Sequence, residues 1–191
     1  LVRSDLRDAS EEDRALVRHI LAASAIVERI YLKQRGAYGL DAGIPADDPA
    51  SRALFHRNQG PWCELPKTQG DPDCSALPSR PPRTSGLYPA DIQQPGFCEA
   101  LERRPDQAAL LGSFTVVVSR DGKLAAQPYS EAYRDDMQAV SRELSAAADA
   151  IKSPGEAALR AYLRAAAQAF LDNRWEPADE AWAAMNATNS R

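Results

Sequence analysis

Ser10-Glu-Glu-Asp-Arg-Ala-Leu-Val-Arg-His-Ile-Leu-Ala-Ala-Ser-Ala-Ile-Val-Glu-Arg-Ile-Tyr-Leu-Lys-Gln34 is the clearest element of this 191-residue chain. Ser10 stands where a side-chain oxygen can cap a helix. Glu11, Glu12 and Asp13 fill the first turn, where the helix dipole favours negative charge. Leu16, Val17, Ile20, Leu21, Val27, Ile30 and Tyr31 recur at helical spacing and make one apolar face. Gly36 is a stop signal. The spacing predicts a helix from about Glu11 to about Gln34 and sets the tone of the chain as mainly α.

Outward from this helix, Asp48-Pro49 offers a cap followed by proline at the first helical position, so a short second helix carrying Leu54 and Phe55 is expected. From Asn58 to Cys98 periodicity disappears. Eight of the fourteen prolines lie there: Pro61, Pro66, Pro72, Pro78, Pro81, Pro82, Pro89 and Pro95. Proline fixes φ and removes a donor, which excludes a long helix or a central strand. A loop of this length in a compact domain needs a cross-link or a surface to lie on.

Short helical stretches follow between Phe97 and Leu111. Ser113 to Ser119 reads as a strand, Asp121-Gly122 as a hairpin turn, and Leu124 to Gln127 as the returning strand. A two-stranded hairpin is marginal alone, so this one is expected to join a larger sheet. The last third is helical. Tyr133, Met137, Val140, Leu144, Ala148 and Ile151 form a stripe over about Glu131 to Ile151. Ser153-Pro154-Gly155-Glu156 reads as a capping box. A helix with Leu159, Tyr162, Leu163, Ala166, Phe170 and Leu171 follows, and a final one from about Pro177 carries Trp182 and Met185.

Composition narrows the function classes. The apolar fraction is 44% and the formal net charge -4, with a pI near 5.3. That balance supports a globular core and argues against a general nucleic-acid binder. No run approaches the roughly 18 apolar residues of a membrane span. Three cysteines, Cys63, Cys74 and Cys98, are gathered in the Pro-rich region, which points to a disulfide and an oxidising compartment. Cys63 with Cys74 is the first choice because the loop it closes is short. Cys98 then stays free or pairs with a missing half. Cys74 with Cys98, or three free thiols, are the alternatives.

The residues display no active site. Zinc hydrolysis commonly uses two histidines a helical turn apart plus a carboxylate. The only histidines are His19 and His56, and neither has a histidine four residues away. His19 reads as a satisfied or solvent-edge residue. His56, Cys63 and Cys74 match no zinc spacing. There is no G-x-S-x-G elbow and no Gly-rich phosphate loop. Asp135-Asp136 and Asp179-Glu180 read as solvated faces, since adjacent helical residues do not face one another. Asn186-Ala187-Thr188 fits the glycosylation pattern, which is common by chance.

Four stretches, in order, resemble the dipeptidyl peptidase III family, including its bacterial and nudix-associated relatives. They are Phe55-His-Arg-Asn-Gln-Gly-Pro-Trp62, Gly86-Leu-Tyr-Pro-Ala-Asp-Ile92, Phe114 to Tyr133, and Ala169-Phe-Leu-Asp-Asn173 followed by Ala178-Asp179 and Ala181-Trp182. On this resemblance Asn58, Gly60, Pro61, Trp62, Tyr88, Pro89, Asp91 and Trp182 are structural motif residues. Cys63 departs from the Asp or Ser that relatives often carry there, and Cys63 to Ser85 looks like an insertion.

The resemblance implies an N-terminal, non-zinc-binding part of a zinc-dependent exopeptidase. No catalytic residue and no metal ligand carries over to this chain; zinc and its ligands belong to a missing half. Its partners are that C-terminal half and, for the complete protein, a peptide substrate, with no nucleic acid and no membrane span. The fold expected is mainly α (α+β), a helical lobe with a small β-hairpin joining a mixed sheet that the missing half completes. Residues 1–57 are expected to hold the N-terminal helices, 58–98 a Pro/Cys-rich insertion, and 99–191 the hairpin and helical segment, all within one incomplete lobe. Export is expected, to the periplasm, to the medium or on a lipid anchor, with a cytoplasmic protein carrying three unrelated thiols as the alternative. Arg191 is expected to be a cut or cloning boundary. The competing readings are a non-catalytic exported binding or structural module of the same ancestry, and an unrelated helical protein.

Overall fold

The computed structural model describes residues 5–190. Its elements in chain order are α1 (Glu11–Gln34), α2 (Pro49–Asn58), α3 (Phe97–Glu102), α4 (Gln107–Leu110), β1 (Thr115–Arg120), β2 (Lys123–Pro128), α5 (Tyr129–Ala132), α6 (Arg134–Ala150), α7 (Ala157–Asp172) and α8 (Glu176–Ala183). Short 3-10 turns occupy Leu40–Gly43, Ala90–Ile92 and Pro154–Glu156. The fold is mainly helical, with one antiparallel hairpin of β1 and β2. Residues through Val27 together with those from Pro128 form one compact unit, and Glu28–Gln127 form another.

α1 begins where its cap allows. The Asp13 backbone N–H donates to Ser10 Oγ at 3.0 Å, satisfying one of the helix's orphan donors. The apolar face differs from the expected one. Leu21 is 64% exposed and Val27 and Tyr31 are each 40% exposed, whereas Ala23 is buried. Leu16, Ile20, Ala23 and Ile26 are the α1 residues that pack in the core of the first unit. Leu21 stands two residues from Ala23, some 200° around the helix, and so points away.

That core is rich in alanine. Val140, Leu144, Ala147 and Ala148 of α6 meet Leu163, Ala166, Ala167 and Ala169 of α7, with Ala178 of α8 completing it. Small side chains let these helix backbones approach closely, and α6 packs along α7 and α7 along α8.

Two local expectations fail here. The stripe over Glu131 to Ile151 is not one helix: Tyr133, at φ -119 and ψ 32, leaves helical geometry and separates α5 from α6. Its ring packs edge-on against Tyr129, 5.4 Å away. The capping box at Ser153 does not form either. Ser153 makes no cap bond, Pro154–Glu156 is a 3-10 turn, and α7 starts at Ala157. The Ser153 N–H donates instead to Glu12 Oε1 of α1 at 3.3 Å, and Glu156 is buried.

In the second unit α2 follows its cap, with the Ser51 N–H donating to Asp48 Oδ1 at 2.9 Å. The hairpin turns at Asp121 (φ 51) and Gly122 (φ 73), the two positive angles that a tight two-residue turn needs. Leu101, Leu110 and Val117 make one small core, and Ala37, Ile44, Phe55, Trp62 and Ala76 another.

The Pro-rich segment lies across the C-terminal end of α1, and two glycines make this possible. A Cβ on Gly86 would stand 1.9 Å from the Lys33 carbonyl oxygen. One on Gly36, at φ +65, would stand 2.0 Å from that of Thr84. The Gly86 N–H donates to the Gln34 carbonyl at 2.8 Å, satisfying a carbonyl at the helix end.

Candidate functional site

A constellation of side-chain interactions surrounds Trp62. Asn58 ends α2, Gln59 turns left-handed at φ 48, and Gly60 and Pro61 are buried. This turn drives Trp62 into the core, where it is 2% exposed. Its indole Nε1 donates to the Pro81 carbonyl at 2.8 Å, so the one polar atom of the ring is satisfied. A β-bridge pairs Trp62 with Ser75, and the Ala76 N–H donates to the Pro61 carbonyl at 2.9 Å.

Cys63 and Cys74 form a disulfide, and Cys98 is an exposed free thiol. Glu64, the next residue, accepts at Oε1 from Arg35 at 2.7 Å and from Arg83 at 2.9 Å. Arg83 lies over the Trp62 ring at 5.4 Å, and Arg35 over the Tyr31 ring at 5.5 Å while donating to the Tyr31 hydroxyl at 3.0 Å. Burial is the largest single influence on the Glu64 carboxyl and opposes its charge. The hydrogen bonds and charges of Arg35 and Arg83 together outweigh it and hold the pKa below the ordinary glutamate range. Burial likewise works against the Arg35 charge, and Tyr31 and Glu64 overcome it.

The other motif residues lie apart from this knot. Tyr88 packs edge-on against Phe97 at 5.5 Å, beside the Leu101 core. Pro89 precedes the 3-10 turn that carries the exposed Asp91. Gln93 ties this region together: its Oε1 accepts from the Ser85 N–H at 2.7 Å, and its Nε2 donates to the carbonyls of Ser85 and Tyr88 at 2.8 and 3.0 Å. Trp182, in the first unit, is 62% exposed and touches Tyr162 edge-on at 5.4 Å. Arg35, Glu64, Arg83 and Gln93 escaped the sequence reading because a single charged or amide residue in a loop carries no periodic signal.

None of this is catalytic geometry. His19 Nδ1 lies 2.8 Å from Glu143 Oε2, and His56 Nδ1 lies 3.4 Å from Glu28 Oε1. Each histidine thus has one carboxylate partner. Among the described residues no group of three or more His, Cys, Asp or Glu side chains could hold a metal ion. No described helix is long and apolar enough to cross a membrane. Asp135 and the pair Asp179-Glu180 are exposed, but Asp136 is buried at 8% exposure, so the first acidic pair is not a wholly solvated face.

No protein-family model matches the sequence, and no curated protein matches it significantly. Solved structures do. DPP III from Caldithrix abyssi matches with a TM-score of 0.75 at 27% identity, covering 97% of this chain and 36% of that one. Dipeptidyl-peptidase III from Corallococcus sp. strain EGB matches in fold with a TM-score of 0.71 at 23% identity, covering 97% of this chain and 35% of that one. The chain spans about a third of the length of the structures it matches, and over nearly all of its own length it is similar to a portion of dipeptidyl peptidase III.

Proposed function

We propose that this chain is the N-terminal, non-zinc-binding part of a zinc-dependent exopeptidase of the dipeptidyl peptidase III type. The observation that carries the reading is the likeness in fold to the Caldithrix abyssi structure across 97% of this chain but only 36% of that one. A chain with no metal-ligand cluster among its described residues then acts by building one incomplete lobe, with residues 58–98 as an insertion on it. The remainder of the protein would bring the zinc, which when bound would supply Lewis-acid activation of water for peptide-bond hydrolysis. Peptides are the substrates of the complete protein.

Two surfaces support a role for that remainder. Trp182 leaves a large aromatic face in water, and a 450 Å³ depression beside it is lined by Met185 and Asn186. In the hairpin, the Val117 N–H of β1 already donates to the Leu87 carbonyl at 2.8 Å. Growth into a mixed sheet therefore proceeds from β2. The disulfide favours an exported protein, because such bonds persist in oxidising compartments.

The test is a comparison of this chain with the polypeptide encoded by its complete reading frame. The longer protein is expected to hold one zinc and release dipeptides from peptide N-termini, with loss of activity on chelation. Residues 1–191 alone should bind no stoichiometric zinc and hydrolyse nothing. Tight zinc in the short chain, or a zinc-loaded long protein that cleaves no peptide, overturns the reading.

A further inference from the structure

Three departures from regular structure converge at one place in the first unit. The chain breaks at Tyr133, so α5 and α6 are separate where one helix was expected. Asn173, just past the end of α7, sits left-handed at φ 58. Its Nδ2 donates to Ser130 Oγ at 2.8 Å, while its Oδ1 is buried without a partner. Ser130, the partner of Asn173, also lines a cavity of about 340 Å³ together with Glu131, Arg134, Met137, Gln138, Phe170 and Leu171. Conflicts between local sequence preference and structure are where functional sites are expected.

The lining is chemically divided. Met137 is buried and Phe170 half-buried, giving an apolar floor. Ser130 accepts from Asn173, which leaves the serine hydroxyl hydrogen to donate elsewhere. Glu131 and Arg134 are exposed, and neither forms an ion pair with another described residue. Three residues apart on either side of the Tyr133 break, they place one negative and one positive group on a single rim.

We propose that this cavity binds a small zwitterion with an apolar side chain, an α-amino acid or a dipeptide. The Glu131 carboxylate takes the ammonium. The Arg134 guanidinium, with the Ser130 hydroxyl, takes the carboxylate. Met137 and Phe170 take the side chain. A carboxylate or an amine alone uses half of this rim and faces a group of its own sign on the other half, so the site selects for both charges together. The volume lies at the small end of ligand sites, as suits a molecule of this size.

The experiment is a binding titration of the chain with L-leucine, glycyl-leucine, isocaproate and isopentylamine, followed by heteronuclear NMR. Leucine or glycyl-leucine should bind saturably, with shifts at Ser130, Glu131 and Gln138, and isocaproate and isopentylamine should each bind about tenfold more weakly. Which of the two zwitterions binds tighter distinguishes a free amino acid from a peptide. Arg134→Gln should weaken zwitterion binding about tenfold without weakening isopentylamine; Glu131→Gln should also weaken zwitterion binding about tenfold, without weakening isocaproate. Both variants should melt as the parent does, since neither side chain has an ion-pair partner to lose. No saturable shift from leucine or glycyl-leucine at tens of millimolar overturns the proposal, and so does binding that neither variant alters. This readout needs no proteolysis, so it stands or falls separately from the peptidase reading.

Discussion

The indole nitrogen of Trp62 is bonded to the carbonyl oxygen of Pro81, nineteen residues along the chain, at 2.8 Å. One ring thus ties the start of the Pro-rich segment to its middle, at the core that contains Phe55 and Ile44. Replacing Trp62 with alanine should destabilise the fold by about 3–5 kcal/mol, the usual cost of deleting a buried aromatic side chain. Trp62→Phe should cost less, because it keeps most of the packing, although it leaves the Pro81 oxygen without its donor. Thermal or urea unfolding orders the three proteins. An unchanged midpoint for the alanine variant would contradict the burial seen here.

Peptide mapping without reduction should return Cys63 joined to Cys74, with Cys98 alkylated rapidly in the folded protein. The bridge spans a sequence separation of 11. In the chain-entropy description a loop of this size contributes up to about 3 kcal/mol, by restricting the unfolded chain. Reduction should therefore lower the melting temperature without abolishing the fold, since Trp62 and its bridge to Ser75 remain.

Gly86→Ala and Gly36→Ala should be more damaging than their size suggests. Each would drive a methyl carbon into a backbone oxygen, that of Lys33 or Thr84, and Gly36 also needs its positive φ. Forced overpacking typically costs about 1–3 kcal/mol, with left-handed strain added at Gly36. Limited proteolysis should show early cuts between residues 80 and 95 in both variants, where the segment lifts from α1.

The Glu64 carboxyl is held below its ordinary value of 4.5 by Arg35 and Arg83 acting against burial. A group with a depressed folded-state pKa contributes stability that is complete above its unfolded pKa and is lost as pH falls through the folded value. Stability should therefore drop on acidification below about pH 4.5, and Glu64→Gln should flatten that part of the profile, lowering stability most at pH 7, where the carboxylate's contribution is complete, and least at pH 3. Parallel unfolding curves from pH 3 to pH 7 check this. Identical slopes in both proteins would remove Glu64 from the acid response.

Much of the helical frame was legible in the sequence because caps and periodicity are local. Ser10, Asp48 and the Asp121-Gly122 turn each act within a few residues of themselves, and each sits where its own chemistry requires. What stayed hidden depends on distant partners. Ser153 has the residues of a capping box, but Glu12 claims its N–H from the other end of the sequence. Leu21 has the spacing of a core residue, but the close approach of alanine-rich helices selected Ala23. The break at Tyr133 left no mark on the apolar stripe, because Tyr133 is itself the stripe's first residue. The Arg35, Glu64 and Arg83 cluster joins residues from a helix end and two loop positions that no spacing rule relates.

The alanine seam between α6 and α7 has a consequence for how this protein can change. Ala147, Ala148, Ala166 and Ala169 offer almost nothing to trim, since only glycine is smaller. Growth is the one direction open to them, and each added carbon meets a facing helix with no room to yield. The seam is thus a steric ratchet: mutational drift there is blocked upward by collision and downward by chemistry, so these positions should remain alanine, glycine or serine while the bulkier residues around them exchange freely.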